Sequence, residues 1–255
     1  MRIAKNSVFW TLGGAFAIFV LAVFLTSGLG DEEKKGLVTF VNGSVKKKAE
    51  TAPAWIKADK NTELISGDQV RTYRQSRAEL ELLEMDVIRM APQTTIDIIK
   101  LYEETQAKRR EVKIHLEKGD IWATINKKEN NSTFDISTPI TVAAITGTSL
   151  RITSTSDSLT QLKVYSGEVN LTNAPDNKQL RPQTIQPYEV PGPHEIPGPH
   201  EVSVSEWMYI IKSMQQITVN KSGQIVNKGD FSLNDIDEQT DWVKWNRSRD
   251  RELKR

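Results

Sequence analysis

The sequence contains no cysteine among its 255 residues. This absence excludes disulfide bonds, thiolate metal sites and cysteine nucleophiles, so an exported domain of this chain would depend on its hydrophobic core alone. An excess of charge of one sign is lacking too, because 34 lysines and arginines nearly balance 33 acidic residues. A balanced chain gives no reason to expect a nucleic-acid partner.

Sequence motifs of common enzyme classes are also missing. The chain has no Walker loop, no Gly-x-Ser-x-Gly elbow, no His-Glu-x-x-His helix and no Rossmann glycine fingerprint. Acidic residues such as Glu79 and Glu81 alternate as expected for the solvated face of a strand. We therefore expect a protein that is not an enzyme and that binds no cofactor.

The one long hydrophobic run lies near the N-terminus. Residues 8–29 carry no charge and would span about 33 Å as a helix, enough to cross the hydrocarbon core of a bilayer. Arg2 and Lys5 precede the run, and three consecutive acidic residues follow it. The positive-inside rule therefore predicts a cytoplasmic tail at residues 1–6, a transmembrane anchor at residues 7–30, and the bulk of the chain outside the cytoplasm.

Whether this segment is retained or cleaved stays open. Thr26 and Gly28, or Gly28 and Gly30, fit the small-residue pair of a signal-peptidase site. The apolar run, however, exceeds the 7–15 residues that are usual in a signal peptide. We favour an uncleaved, single-pass anchor.

The body of the chain reads as β-structure, because hydrophobic residues recur there with a period of two. The alternating segments are Ala78–Leu82, Ile96–Ile98, Val112–Leu116, Leu150–Ile152 and Val169–Thr172. Glycine turns recur between them at Gly43, Gly67, Gly119 and Gly167, and we interpret each as a hairpin turn. The sequence predicts a mainly β domain over residues 36–180, either a sandwich or a short β-solenoid of stacked hairpins, with the recurring turns favouring the solenoid slightly.

Several segments of this body, in their order and spacing, resemble the FecR domain, an extracytoplasmic β module of bacterial envelope proteins. The resemblance covers residues 36–171 and is carried by Leu64–Thr72, Ser76–Ala78, Ile88–Pro92, Leu116–Ile121, Phe134–Pro139, Ile145–Thr148 and Val164–Val169. It implies a protein of the bacterial inner membrane whose bulk lies in the periplasm.

Signalling members of that family resemble anti-sigma regulators, with a cytoplasmic domain ahead of the membrane helix that binds a sigma factor. Here only residues 1–6 are expected in the cytoplasm, too few to form a domain or a standard interface. We therefore do not expect the sigma-binding function of the family in this chain.

Residues 181–203 are predicted to form a proline- and glycine-rich linker. The linker contains a duplicated Pro-Gly-Pro-His-Glu phrase that places His194 and His200 six residues apart. A metal site would need these side chains to converge, and nothing in an extended spacer forces them to do so. We expect no metal, with His194 and His200 as weak candidates.

Beyond the linker we expect a short helix and a β-hairpin over residues 204–232, followed by a basic, tryptophan-containing tail over residues 233–255. The helix is predicted to begin after Ser203 or Ser205 and to end near Gln216, with one apolar stripe. The stripe either packs against the β body or binds a partner. The tail is expected to be a solvated terminus, the alternative being a surface for anionic lipid or wall polymer.

Two functional hypotheses follow. The first is a sensing or signalling module that binds another cell-envelope protein, for signalling or assembly. The second is an envelope structural protein that binds peptidoglycan or polysaccharide, for which solvent-facing aromatic residues on the sheet are expected. We favour the first. Candidate partner-binding residues are Trp207, Ile211, Met214, Trp242 and Trp245.

Overall fold

The computed structural model describes residues 35–104, 109–127, 132–155, 159–173 and 208–253. Over these ranges the chain forms two β-sheets and a short C-terminal helix, which confirms the mainly β prediction. No helix in these ranges is long and apolar enough to cross a membrane, and the anchor predicted at residues 7–30 lies outside them.

Strands are numbered in chain order. Sheet 1 contains, from edge to edge, β4 (Glu63–Leu64), β1 (Gly36–Asn42), β6 (Arg77–Glu81), β7 (Val87–Met90), β9 (Arg109–Thr124), β12 (Ser149–Ser154), β13 (Thr160–Ser166), β16 (Gln215–Val219) and β17 (Ile225–Asp230). Sheet 2 contains β3 (Ile56–Lys57), β2 (Val45–Lys48), β5 (Gln69–Thr72), β8 (Thr95–Glu104), β9 again, β10 (Ser132–Ser137), β11 (Thr141–Ile145), β14 (Glu168–Asn173) and β15 (Met208–Lys212). Among the described strands, only β9 and β10 pair in parallel.

The two sheets enclose one hydrophobic core. Alternate residues of most strands point into it, as Leu150 and Ile152 of β12 do, and the buried cluster draws on both sheets. The chain passes repeatedly from one sheet to the other, and each passage adds one or two strands. The architecture is therefore a sandwich of two sheets. The chain builds it by passing repeatedly between the sheets, as it would in a solenoid.

Strand β9 belongs to both sheets and bends between them at Gly119. Its first part pairs with β8 up to Lys118, and its last part pairs with β12 from Gly119 onward. Gly119 has φ of +110°, and a Cβ atom there would lie 2.5 Å from the Cα atom of Thr94. Glycine is therefore required at this bend.

The other predicted glycine hairpins are likewise corners at which the chain leaves one sheet for the other. Gly43 joins β1 to β2, Gly67 joins β4 to β5, and Gly167 joins β13 to β14. The hairpin interpretation of these turns is wrong, because a local glycine pattern reports positive φ and not the sheet to which the next strand belongs. Non-glycine residues with positive φ occupy further corners: Asn61, Gln75, Gln93 and Met214.

The helix expected over residues 204–216 is wrong in its described part. Residues Met208–Lys212 and Gln215–Val219 form β15 and β16, which continue sheets 2 and 1. The β-branched residues there favour strands, and of the supposed apolar stripe Ile211 is buried whereas Ile210 is exposed. The expected hairpin is present as β16 and β17.

Helix α1 (Asp241–Leu253) forms within the tail that was expected to be solvated, so that expectation is wrong. A short 3-10 turn, Ile236–Glu238, precedes it. Thr240 Oγ1 accepts a bond of 3.4 Å from the backbone N–H of Val243, in the position of an N-cap. The helix buries one face, which consists of Trp242, Val243, Asn246 and Asp250.

Candidate functional site

The outer face of sheet 1, which points away from the sandwich core, is covered by residues 231–253, here called the C-terminal segment. Glu79, Arg89, Trp122 and Lys163 lie on this face and are buried. The expectation of a solvated position for Glu79 is therefore wrong. Alternation places a side chain on the outer face, but it does not reveal what packs over that face.

Aromatic rings form the apolar part of this contact. The ring centroids of Trp122 and Tyr165, both on the sheet, lie 4.2 Å apart, and Phe231 packs edge-on against Tyr165 at 5.2 Å. On the helix side, Trp242 and Trp245 stack at 5.5 Å. Ring contacts of this kind add to the free energy of burial, and the contact of Phe231 with Tyr165 joins the C-terminal segment to the sheet.

Asp250 of α1 is the centre of a buried polar network. Its carboxylate forms a salt bridge of 2.6 Å with the Nη1 atom of Arg89, which is 0% exposed. The same carboxylate accepts hydrogen bonds from Trp122 Nε1 at 2.9 Å and from Thr124 Oγ1 at 2.7 Å. Two adjacent strands, β7 and β9, thus supply all three partners of one helix residue, which fixes a single docked position for the helix.

Glu79 on β6 is held between two arginines. It accepts a bond of 2.7 Å from Arg89 Nε and one of 2.8 Å from Arg249 Nη2 of the helix. Burial alone would raise the pKa of the Glu79 carboxyl, but the hydrogen bonds and charges of Arg249 and Arg89 outweigh it and hold the pKa below its ordinary value.

A second charge cluster fixes the start of the C-terminal segment. The Lys163 ammonium of β13 forms ion pairs with Asp237 and, at 2.8 Å, with Glu238, which is 0% exposed. Tyr165 donates its hydroxyl to Glu238 at 2.8 Å. Burial, together with the charge of Glu238 and this hydrogen bond, raises the pKa of Tyr165, so the phenol stays protonated.

Two adjoining clefts lie beside the C-terminal segment. The first, about 250 Å³, is lined by Trp122, Tyr165, Met214, Leu233, Arg247 and Arg251, among others. The second, about 320 Å³, is lined in part by Lys127, Thr148 and Leu253. Ser149 and Ser166 line both. The FecR-like segments Ile145–Thr148 and Val164–Val169 therefore meet at these clefts.

An exposed sheet edge lies at the end of the sandwich formed by the last strands. Strand β15 pairs with β14 and with no other described strand. Met208 and Ile210 point outward from it and are 65% and 49% exposed. An apolar edge strand of this kind is a surface on which another chain can add a strand.

The candidate partner-binding residues do not form one surface. Ile211 is buried in the sandwich core, and Met214 lies at the corner between β15 and β16. Trp242 and Trp245 lie on α1, with Trp242 buried against sheet 1. Trp207 lies outside the described residues. The partner-binding role of these five stays a prediction, and Ile211 and Trp242 contact the chain itself in this structure.

His194 and His200 also lie outside the described residues. No group of three acidic or histidine side chains in the described ranges could hold a metal ion. His115 lies on the outer face of sheet 2, with Nδ1 at 3.0 Å from Ser137 Oγ and with Asp97 opposite on β8. Asp97 bonds Gln69 instead, at 2.7 Å, and no hydrogen bond joins it to His115. The side chains of Ser137, His115 and Asp97 therefore lack the carboxylate–histidine hydrogen bond that orients histidine in a hydrolase triad.

The sequence reasoning missed the residues with the densest polar contacts, namely Arg89, Lys163, Glu238 and Asp250. Two signals pointed to them. Arg89 interrupts an otherwise apolar strand and Lys163 lies between Leu162 and Val164, and Trp242, Asn246 and Asp250 follow a helical spacing of four residues. A charge flanked by core residues indicates a covered face when a segment of complementary charge occurs elsewhere in the chain.

Comparison with known proteins is consistent with the resemblance noted in the sequence. Residues 68–170 match the family model described as FecR protein. Residues 68–170 of this chain are thus similar to the FecR domain, which confirms the predicted resemblance. Strands β1 to β4 precede the matched range and belong to the same two sheets.

Solved structures give a fainter similarity. Two crystal structures of a candidate anti-sigma factor from Parabacteroides distasonis, at 1.65 and 2.50 Å resolution, align with 14% and 13% identity and TM-scores of 0.43 and 0.42. Each alignment covers 64% of this chain, and this chain spans 59% of the length of those proteins. At these values the similarity has no bearing on partners or ligands. No curated protein matches the chain.

Proposed function

We propose that the chain is a membrane-anchored sensing or signalling module whose periplasmic β domain engages another protein of the cell envelope. The FecR domain at residues 68–170 supports a regulatory role, and the apolar run at residues 8–29 supports the anchor. The observation that carries the binding part of the proposal is the exposed edge of β15.

The other sheet edges have features that oppose pairing with a second chain. Strands β3 and β4, at the opposite end, have only two residues each. On β17 the pairing register is irregular next to Ile225. Lys228 is exposed but lies opposite the core residue Ile217, on the inward side of the strand, with its Nζ atom 4.8 Å from the ring centroid of Tyr209. Short edge strands, bulges and inward lysines are the usual means of blocking edge pairing. Strand β15 has five residues in regular register and none of these features.

The partner is therefore expected to contribute an extended segment with apolar residues at alternate positions. Such a segment would form backbone hydrogen bonds along β15, and its apolar side chains would cover Met208 and Ile210. Covering these two side chains removes apolar surface from water, which favours association.

Site-specific photocrosslinking in cells tests this proposal. A photoreactive residue at Ile210 is expected to crosslink to one envelope protein, whereas the same residue at Ile56, which is 58% exposed on β3, is not. The variant Ile210→Lys should abolish co-purification of that protein, and Ile56→Lys should leave it unchanged. Equal crosslinking at both positions, or full binding by the Ile210→Lys variant, would contradict the proposal.

Binding to wall polymer is the alternative, and the described residues give it little support. Polysaccharide binding would require solvent-facing aromatic rings, but Trp122 is 1% exposed and Trp242 is 8% exposed under the C-terminal segment. Trp55 has the Arg71 guanidinium 4.4 Å from its ring centroid. Recovery of wall polymer alone in the crosslinking experiment would favour this alternative.

A further inference from the structure

The two clefts beside the C-terminal segment combine unpaired cations with an apolar wall. Arg247 and Arg251 line the first cleft, and Lys127 lines the second. None of the three makes an ion pair or a side-chain hydrogen bond with any described residue. Their neighbour Arg249, by contrast, pairs with both Glu79 and Glu252. Unpaired cations gathered around a cleft attract an anion.

The acidic residue in the lining does not neutralise these cations. Asp250 is the one carboxylate among the described residues that line the clefts. Both of its oxygens are already engaged, by Arg89 and Thr124 on one side and Trp122 on the other. Within the described ranges, the positive charge of Arg247, Arg251 and Lys127 therefore has no acidic partner and is available to a ligand.

Two corners of the sandwich form the base of the clefts and bring hydroxyl groups to them. A Cβ atom at Gly167 would lie 2.6 Å from the carbonyl oxygen of Gly147, so the corners pack in direct backbone contact. This contact places Ser149 beside Ser166, whose Oγ accepts a bond of 3.4 Å from the Ser149 N–H. Both serines face the two clefts, and a serine hydroxyl can donate to an anionic oxygen.

The apolar part of the lining defines the other half of the ligand. Tyr165, Met214 and Leu233 line the first cleft together with the arginines. A volume of about 250 Å³ is enough for a small aromatic or aliphatic body. An inorganic anion alone would leave this wall uncovered.

We propose that the clefts bind a small organic anion, a carboxylate or phosphate group carried on an apolar body. The anionic group lies among Arg247, Arg251 and the two serines, with Lys127 adding charge from the second cleft, and the apolar body lies against Tyr165 and Leu233. The ligand is a small molecule, so the inference goes beyond the proposed protein partner and does not require it.

Calorimetric titration of the full chain, held in nanodiscs of zwitterionic lipid, tests the inference with three probes of similar size. Phenyl phosphate is expected to bind saturably, whereas benzyl alcohol and benzylamine, which lack the anion, are not. Added salt should weaken phenyl phosphate binding, because it screens the arginines. Empty nanodiscs supply the baseline.

Three single substitutions on α1 locate the site. Arg247→Gln and Arg251→Gln should each weaken phenyl phosphate binding about tenfold, the effect of one lost charge-assisted contact. Lys244→Gln removes the same charge from an exposed position that lines neither cleft and should change affinity less than about twofold. Melting temperatures of the variants confirm that each remains folded.

Several outcomes would overturn the inference. They are the absence of saturable binding up to about 10 mM phenyl phosphate, equal binding of benzylamine, or a loss in Lys244→Gln as large as in Arg247→Gln. If inorganic phosphate binds as tightly as phenyl phosphate, the proposed contact of an apolar body with Tyr165 and Leu233 is wrong. Because photocrosslinking at Ile210 reports on a different surface, failure of the ligand site and failure of the partner proposal can be told apart.

Discussion

Replacement of Asp250 by alanine tests whether the buried network holds α1 on sheet 1. The substitution removes the salt bridge of 2.6 Å to Arg89 and the hydrogen bonds to Trp122 and Thr124. Arg89 would remain in place with 0% exposure, because the strands on either side of β7 are unchanged. A buried guanidinium would thereby lose one of its two carboxylate partners.

The expected cost follows from that geometry. Breaking a buried ion pair by removing one partner destabilises a protein by about 3–5 kcal/mol. Arg89 keeps its 2.7 Å bond to Glu79, so we expect the lower end, about 3 kcal/mol. A change of this size raises the population of the opened helix about a hundredfold. Undocking of a terminal helix does not require the sandwich to open, so the loss should be local.

Native-state hydrogen exchange measures this local opening. In Asp250→Ala the amides of α1 should exchange about a hundredfold faster, whereas those of the central strands β9 and β12 stay protected. Glu252→Ala is the matched control, since Glu252 lies on the same helix, is 59% exposed at its side chain, and pairs at 3.1 Å with Arg249. That surface pair is worth at most about 1 kcal/mol. Equal, small effects of the two substitutions would refute the role assigned to the network.

Two further predictions concern a corner and an acid. Gly119→Ala should lower the free energy of unfolding, measured in urea, by about 2 kcal/mol or more, because of the positive φ and the contact with Thr94. In the control Gly229→Ala the added Cβ atom meets nothing within 4 Å, so the free energy of unfolding should change by less than about 0.5 kcal/mol. Equal effects of the two substitutions would contradict the strand bend at Gly119. The pKa of Glu79 is lowered in the folded state, so its contribution to stability is complete above its ordinary pKa of 4.5 and is lost as the pH falls through the folded value. The protection factors of the α1 amides, which are exchange rates corrected for their intrinsic pH dependence, should therefore fall below about pH 4.5. The fall should be shallower in Glu79→Gln, and an unchanged dependence would contradict the assignment.

The strands could be predicted because alternation is a local property. The predicted segment Leu150–Ile152 lies within β12, and Ala78–Leu82 overlaps β6 and extends one residue past its end. Leu80, Leu150 and Ile152 lie in the core, as predicted from their alternation. The glycines were also correctly placed at turns with positive φ. The sheet that each next strand would join could not be predicted, because it depends on contacts such as that of Gly167 with Gly147, which are distant in sequence.

The C-terminal region shows a different limit of periodicity. Ile210, Ile211 and Met214 fit helical spacing as well as they fit two short strands with a corner between them. The strand conformation of residues 208–212 is favoured because the edge of β14 offers β15 a full set of backbone partners from Glu168 to Thr172. The apolar stripe runs over only eight residues, 207–214, and carries too little information to outweigh such an edge.

The covered face of sheet 1 bears on where any partner can bind. Arg89 and Lys163 would be costly to bury alone, so their burial requires the acids of the C-terminal segment. Once that segment is docked, Trp122 on the outer face of sheet 1 is covered. Of the apolar side chains that stay exposed on the edge strands, Val226 lies on β17, whose register is irregular, whereas Met208 and Ile210 lie on the regular strand β15. The charge pairs that hold α1 therefore also direct the expected partner to β15. A variant such as Asp250→Ala should then uncover Trp122 and add a second, non-native binding surface without weakening crosslinking at Ile210.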